Sequence, residues 1–261
     1  MKTLSGYKFS PPDARDKPFD LIKPALVGLA ESAAGQEHII REHTPVSFQG
    51  SLGSCVANSV GDLIEIVIGL EDPANVVQIS RLHLYWNARS YTRDTDKDEG
   101  TYIRNAIDSL RTLGVCREST WPYDTSKVFA QPPLEAYKES LDNKIQAYYR
   151  IAGMNQSRID GVEAAVRANH PVTIATAVDN SFLAYRGGGK VWHAPSSWMG
   201  FHAMIVVGVR VSSSGRREFL LRNSWGAGWG DNGHVWVDED YVGWTQTEDC
   251  WVVTRVPSLV F

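Results

Sequence analysis

The chain has 261 residues, a formal net charge of −4, 43% hydrophobic residues and 21% charged ones. That is the balance of an ordinary globular protein, long enough for one large domain or two lobes around a shared cleft. It offers no basic footprint for nucleic acid, and no run approaches the roughly 18 apolar residues of a membrane helix.

The opening stretch, Met1 to Tyr7, lacks the apolar core of a signal peptide. Ser10 to Pro18 carries Pro11, Pro12 and Pro18 and is extended or turn-forming. Leu21 to Ala34 holds a short helix. From Cys55, the spacing of Val60, Leu63, Ile64, Val67 and Ile68 predicts a second helix. Val56, Ile66 and Leu70 lie off that face, so this helix is buried on most sides. Ser54 is its N-cap, and Gly69 with Pro73 marks its end. Gln78 to Ser90 reads as a further helix.

Asp94 to Gly100 alternates aspartates like a calcium loop. It has Glu99 where that loop needs glycine and Asn105 where it needs glutamate, so it reads as a solvated acidic loop. The histidines and cysteines show no metal-ligand spacing. Ile103, Ala106, Ile107 and Leu110 predict a helix closed by Gly114, and Pro132-Pro133 a surface linker. Past about Ile145 the pattern changes. Val162 to Ala168 is a helix. Pro171–Val178, His202–Val211, Arg217–Arg222 and Gly233–Val237 are strands, with a turn at Ser212–Gly215. Helices first and strands later give an α+β architecture.

Cys55 stands at the first turn of its helix, where unpaired N–H groups and the helix dipole favour an anion. A thiolate there is a nucleophile, whereas a free cysteine is commonly just a buried small side chain. Two later stretches separate these readings. His202 begins an apolar strand, and Asn223 ends the next one. A thiol nucleophile needs a base, and the base needs a third group to fix its ring. Cys55, His202 and Asn223 supply all three. His193 is the rival base, but Pro195 follows it instead of a strand, and it lies 30 positions from Asn223 rather than 21.

These motifs resemble the papain family of cysteine peptidases, whose nucleophile segment reads Gln-Gly-x-Cys-Gly-Ser-Cys-Trp. The chain keeps Gln49, Gly50, Gly53, Ser54 and Cys55. It has Leu52 where the family usually has a disulfide cysteine and Val56 where it has tryptophan. His202, Ala203 and Gly208 match the histidine motif. Asn223 to Gly233 matches Asn-Ser-Trp-Gly-x-x-Trp-Gly-x-x-Gly. Cys55 and His202 are 147 positions apart, within the roughly 130–150 of this family. Weaker similarity at Trp121-Pro122-Tyr123 and Ala184–Gly188 extends the match over most of the chain from about Thr44 onward.

The resemblance implies a papain-like domain over 44–261, with a helical lobe at about 50–145, a β-barrel-like lobe at about 146–261, and the cleft between them. Residues 1–43 would form an N-terminal extension, shorter than the family's usual propeptide. It implies a thiol protease, a cysteine endopeptidase acting on peptide or protein substrates without a cofactor or metal. Cys55 would form the thioester, its pKa brought to about 3–4 by His202, the acid and base. Asn223 would hold the imidazole, and Trp225 would shield that bond. Gln49 and the Cys55 N–H would stabilise the oxyanion. Gly100 would lie near the backbone that pairs with substrate. Trp121, Pro122, Tyr123 and Phe201 would line an apolar pocket for an aliphatic or aromatic side chain.

The extension either packs on the body or lies in the cleft as a self-inhibitor. Cys116 and Cys250 remain after Cys55, with their pairing open. The absence of the family's disulfide positions points to a reducing, cytoplasmic setting. Two other functions use the same residues: acyl transfer to an amine, as in a transpeptidase or amidase, and a non-catalytic protein that only binds peptides.

Overall fold

The computed structural model describes residues 6–30 and 37–255. Helices dominate its first half and strands its second, an α+β order. A 3-10 turn at Phe19–Leu21 leads into α1 (Lys23–Ala30), and the rest of the helix expected to Ala34 lies outside the described residues. A two-residue strand β1 (His38–Ile39) precedes α2 (Cys55–Glu71).

Helix α2 is buried along its whole length from Cys55 to Gly69. Val60, Leu63 and Ile64 are inaccessible to solvent, each contributing roughly 1.5–3 kcal/mol relative to exposure. Gly69 does not stop this helix, which runs on to Glu71. A Cβ at Gly69 would come within 2.5 Å of the His43 ring, so the glycine is there for close packing. Pro73 opens a 3-10 turn just beyond.

Helix α3 (Arg81–Ser90) starts three residues later than the apolar pattern implies, because the Ser80 hydroxyl accepts the His83 N–H and caps it. Helix α4 (Ile103–Thr112) buries Ile103, Ala106, Ile107 and Leu110 as expected. Pro132-Pro133 leads into a helix that the sequence pattern did not signal, α5 (Leu134–Ser140). Strand β2 (Ala147–Ile151) follows, then α6 (Gln156–Arg167). Helix α6 begins well before Val162, where Asn155 turns the chain through φ 52°.

The remaining elements are β3 (Val172–Val178), α7 (Asn180–Leu183), β4 (Val191–Trp192), β5 (Gly200–Val211), β6 (Arg217–Arg222), β7 (His234–Asp238), α8 (Glu239–Gly243) and β8 (Thr247–Arg255). One sheet runs in the order β2-β8-β3-β5-β6-β7-β4, with β1 added against β5. All of its pairings are antiparallel except β4 with β7. Strand β8 carries an interruption. Thr173 pairs with Trp251 and Ala175 with Glu248, so Asp249 and Cys250 together oppose one residue of β3. Asp249 takes φ 50° there, a β-bulge that re-aims its side chain.

Helix α2 packs against β5. A buried ionic network ties α2 to α3 and to the end of β6. Asp62 on α2 accepts from Arg81 on α3 at 2.5 Å and from Arg222 at the end of β6 at 2.9 Å. Arg81 also pairs with Glu65, and Arg222 with Glu42. A Cβ at Gly61 would lie 2.5 Å from the Arg81 Nε, so only glycine lets this guanidinium cross the helix.

Candidate active site

The β5–β6 hairpin explains the 21-residue gap between His202 and Asn223. His202 lies near the start of β5, and Asn223 directly follows Arg222 at the end of β6. The antiparallel register, with Ile205 opposite Arg222, brings the two together. His202 Nε2 and Asn223 Oδ1 are 2.7 Å apart, both residues fully buried. Trp225 stacks on the imidazole at 4.4 Å between centroids, and Trp229 stands edge-on to Trp225 at 5.2 Å. Water is thereby kept from the His–Asn bond, where a lower dielectric strengthens it. Phe182 closes the cluster behind both tryptophans.

Cys55 begins α2, and the backbone N–H groups of Ala203 and Val56 beside its sulfur favour the thiolate. The Ala203 contact ties the helix to the residue after His202 across the cleft. Ser54 precedes the helix, but its hydroxyl does not cap it. The hydroxyl is taken by Tyr123 and Asn58. Gln49 is 2% exposed. Its Oε1 accepts from Ser224, its Nε2 donates to the Leu52 carbonyl, and its own carbonyl accepts from Tyr123 at 2.9 Å. Tyr123 thus braces the loop between Gln49 and Cys55. The Trp121 carbonyl accepts from Ser80, the Lys127 ammonium lies over the Trp121 ring, and Pro122 is exposed.

Asp98 was not singled out in the sequence, yet it holds the nucleophile loop. Both its oxygens accept the Gly53 N–H, and Tyr85 donates to it. The acidic segment is therefore structural at this position. The Gly100 N–H is spent on the Tyr85 hydroxyl, so the backbone that receives an extended chain is that of Thr101, one residue on. Cys55, Cys116 and Cys250 are all buried free thiols.

The chain that Thr101 receives is the protein's own. The Thr101 N–H donates to Gly6 and its carbonyl accepts from Lys8, a parallel bridge centred on Tyr7. Gly6 lies directly over the nucleophile, and a Cβ there would come 2.6 Å from the Cys55 sulfur. Cys55 is sealed to 0% exposure, and burial pushes its thiol up to about 12. The low value implied by the resemblance is absent in this state because solvent is excluded from the sulfur. Polar contacts hold the segment down. Lys8 pairs with Asp94, Asp16 with Arg104 and Arg150, and Ser10 donates to Asp249. The surroundings of Phe201 are not wholly apolar either: Tyr7 lies beside it, 6.0 Å between ring centroids, and donates its hydroxyl to Asp249.

Residues 36–255 match the papain family of cysteine proteases. An uncharacterized peptidase C1-like protein of Acanthamoeba polyphaga mimivirus is 31% identical over 219 residues, 80% of this chain and 69% of that protein. Papain of Carica papaya is 29% identical over 194 residues, 74% of this chain and 50% of that protein. Falcipain-3 of Plasmodium falciparum is 28% identical over 83% of this chain and 43% of its own. The chain thus spans about half the length of those two relatives or less. The structure of xylellain, a cysteine protease from Xylella fastidiosa, superposes with a TM-score of 0.79 at 28% identity, covering 98% of this chain and 97% of that one.

Proposed function

The chain belongs to the papain family of cysteine proteases, and from that premise we propose an endopeptidase with Cys55 as nucleophile and His202 as its acid and base. The thiol proton passes to the imidazole as sulfur attacks the peptide carbonyl. The imidazolium then protonates the leaving amine, and water, deprotonated by the imidazole, hydrolyses the thioester to free acid and thiol. Asn223 holds the ring, while Gln49 and the Cys55 N–H face the oxyanion. One observation carries this reading: the Asn223-held, Trp225-covered His202 is adjacent to Ala203, whose N–H points at the Cys55 sulfur.

We further propose that the N-terminal segment, within the extension at 1–43, is a self-inhibitor. Gly6 over the thiol and the bridge at Thr101 support this. Of the ties that hold the segment, the Lys8–Asp94 pair is partly exposed and worth little, while those to Asp16 and Asp249 are largely buried, so release requires the segment to lift as a unit.

An epoxide-type thiol inhibitor tests the catalytic assignment. Wild type should take up one equivalent on Cys55, and His202→Ala should react roughly 10³-fold more slowly, as when one member of such a constellation is lost. Equal labelling of the two proteins would refute the pairing.

A further inference from the structure

Gln49 is oriented by a peptide group, and that peptide group is oriented by a carboxylate. The inference drawn from this rests on Cys55 being the nucleophile and on Gln49 facing the oxyanion. Ser224 holds the Gln49 amide oxygen at 2.7 Å, a single pivot about which the amide plane could swing. The amide nitrogen carries two N–H groups. One donates to the Leu52 carbonyl at 3.0 Å, which stops the swing and leaves the other for a substrate oxygen. The Leu52 carbonyl and the Gly53 N–H belong to one planar peptide, so fixing either end fixes the other. Both oxygens of Asp98 accept the Gly53 N–H, at 3.0 and 3.1 Å. We propose that Asp98 is a positioning residue for catalysis, acting on the transition state through the Leu52–Gly53 peptide and Gln49.

Glycine at position 53 makes this relay both possible and necessary. A Cβ there would come 3.1 Å from the Asp98 carbonyl oxygen and 3.2 Å from its Oδ1, so the bare backbone lets the carboxylate close on the N–H. The same freedom lets the peptide turn over, because glycine accepts φ of either sign. A turned-over peptide would present its N–H to Gln49 and release the amide. A hydrogen bond to a charged acceptor is roughly twice as strong as a neutral one, and it holds the plane. It also polarises the carbonyl at the other end, which strengthens the bond to Gln49. Asp98 is itself pinned. Tyr85, inaccessible to solvent, donates to its Oδ1 at 2.7 Å and accepts the Gly100 N–H at 3.1 Å. The oxyanion donor and the backbone next to Thr101 thus share one anchor. Asp94, Asp96 and Asp98 look alike in sequence, and only the fold separates the one that meets Gly53.

A double-mutant cycle tests the relay in the full-length chain, comparing wild type, Gln49→Ala, Asp98→Ala and the pair. Peptide hydrolysis is expressed per Cys55 titrated with the epoxide inhibitor, so that changes in access past the N-terminal segment cancel. Gln49→Ala should lower kcat by about 10²–10³-fold, the loss of one oxyanion donor. Asp98→Ala should lower kcat by about tenfold with KM little changed, since misplacing a group that acts only in the transition state costs rate and not binding. In the Gln49→Ala chain the same change should cost less than about twofold, because independent residues multiply and members of a relay do not. Asp98→Asn keeps an acceptor oxygen for Gly53 and Tyr85, should recover most of the loss, and serves where the alanine variant does not fold. The cycle is repeated with a peptide aldehyde. The thiol adds to it, sulfur to carbon and proton to oxygen, which sets an oxygen at the oxyanion position without turnover. Non-additive losses of aldehyde affinity with no peptide cleaved would leave the relay standing and remove the endopeptidase reading. Losses that multiply in both assays, or an Asp98→Ala chain that keeps wild-type kcat or raises KM alone, would overturn the proposal.

Discussion

Gly6 is where the self-inhibition argument is most exposed to test. Its φ is not left-handed, so the backbone does not require glycine; the space does. A Cβ added there would meet the Cys55 sulfur at 2.6 Å and the Gly53 carbonyl oxygen at 2.8 Å. Neither neighbour can yield. The sulfur is at the end of a short, fully buried side chain, and the carbonyl is backbone in the loop that Asp98 holds. Alanine or valine at this position must lift the segment. Overpacking of this kind costs about 1–3 kcal/mol, and 1.4 kcal/mol is tenfold in an equilibrium. The uncovered fraction should therefore rise roughly 5- to 150-fold.

Alkylation reads that fraction directly. Full-length wild type, Gly6→Ala and Gly6→Val are treated with iodoacetamide at pH 7.5, and peptide mapping separates Cys55 from the buried Cys116 and Cys250. Sealed under the segment, the Cys55 thiol is held at about 12 and reacts only through open molecules. The expected order of rates at Cys55 is Val above Ala above Gly, with Cys116 and Cys250 unchanged. Wild-type rates in both variants would mean that the segment does not govern access, and the argument would fall.

Two further predictions concern stability. Burial holds the His83 imidazole down at about 4, against an ordinary 6.5, so between these values the unfolded chain binds a proton that the folded chain refuses. Stability should be whole above pH 6.5, fall by about 3 kcal/mol on the way to pH 4, and stop falling from this cause below it. Denaturant melts from pH 7.5 to 4.5 should show that fall in wild type and a flatter curve in His83→Leu; parallel curves would refute it. Asp62→Ala leaves Arg81 and Arg222 buried without their shared carboxylate. Loss of one partner of a buried pair costs about 3–5 kcal/mol. In a chain of this size that lowers Tm by roughly 10 °C by calorimetry, and an unchanged Tm would show that the network carries no weight.

The parts of this fold that were legible in sequence are those where one residue type has one job. The helix from Cys55 was readable because its apolar spacing is unbroken. His202 and Asn223 were readable because a strand follows the first and a Trp-Gly run the second. Strand β8 was not, since Thr247, Glu248 and Asp249 break its apolar alternation and the bulge then shifts its register. Helix α5 was hidden because Pro132-Pro133 reads as a linker, although proline is equally suited to the residues just before a helix. Gly69 read as a stop because contact with His43, distant in sequence, is what demands it. That the extension could lie in the cleft was one of two readings, but Gly6 as the residue over Cys55 had no signal: a glycine in a polar stretch looks like any other.

The buried ions show why this site assembles from segments so far apart. Asp62 lies two helical turns beyond Cys55, and Arg222 directly precedes Asn223. Arg222 also grips the Thr44 and Pro45 carbonyls, while Ser47 donates to Asp62. Three segments thus meet on one carboxylate–guanidinium contact: the helix bearing the thiol, the strand end that fixes the imidazole, and the stretch leading to Gln49. Apolar side chains could fill that volume as stably, since desolvation offsets much of the attraction within such a pair. They would not fix its register, because an apolar contact tolerates sliding, whereas these fixed donors and acceptors match in one alignment only. Misplacing catalytic groups by 1 Å can cost 10²-fold in rate. Placing the charges beside the catalytic residues, not elsewhere in the interface, therefore puts the most direction-dependent contacts where alignment matters most.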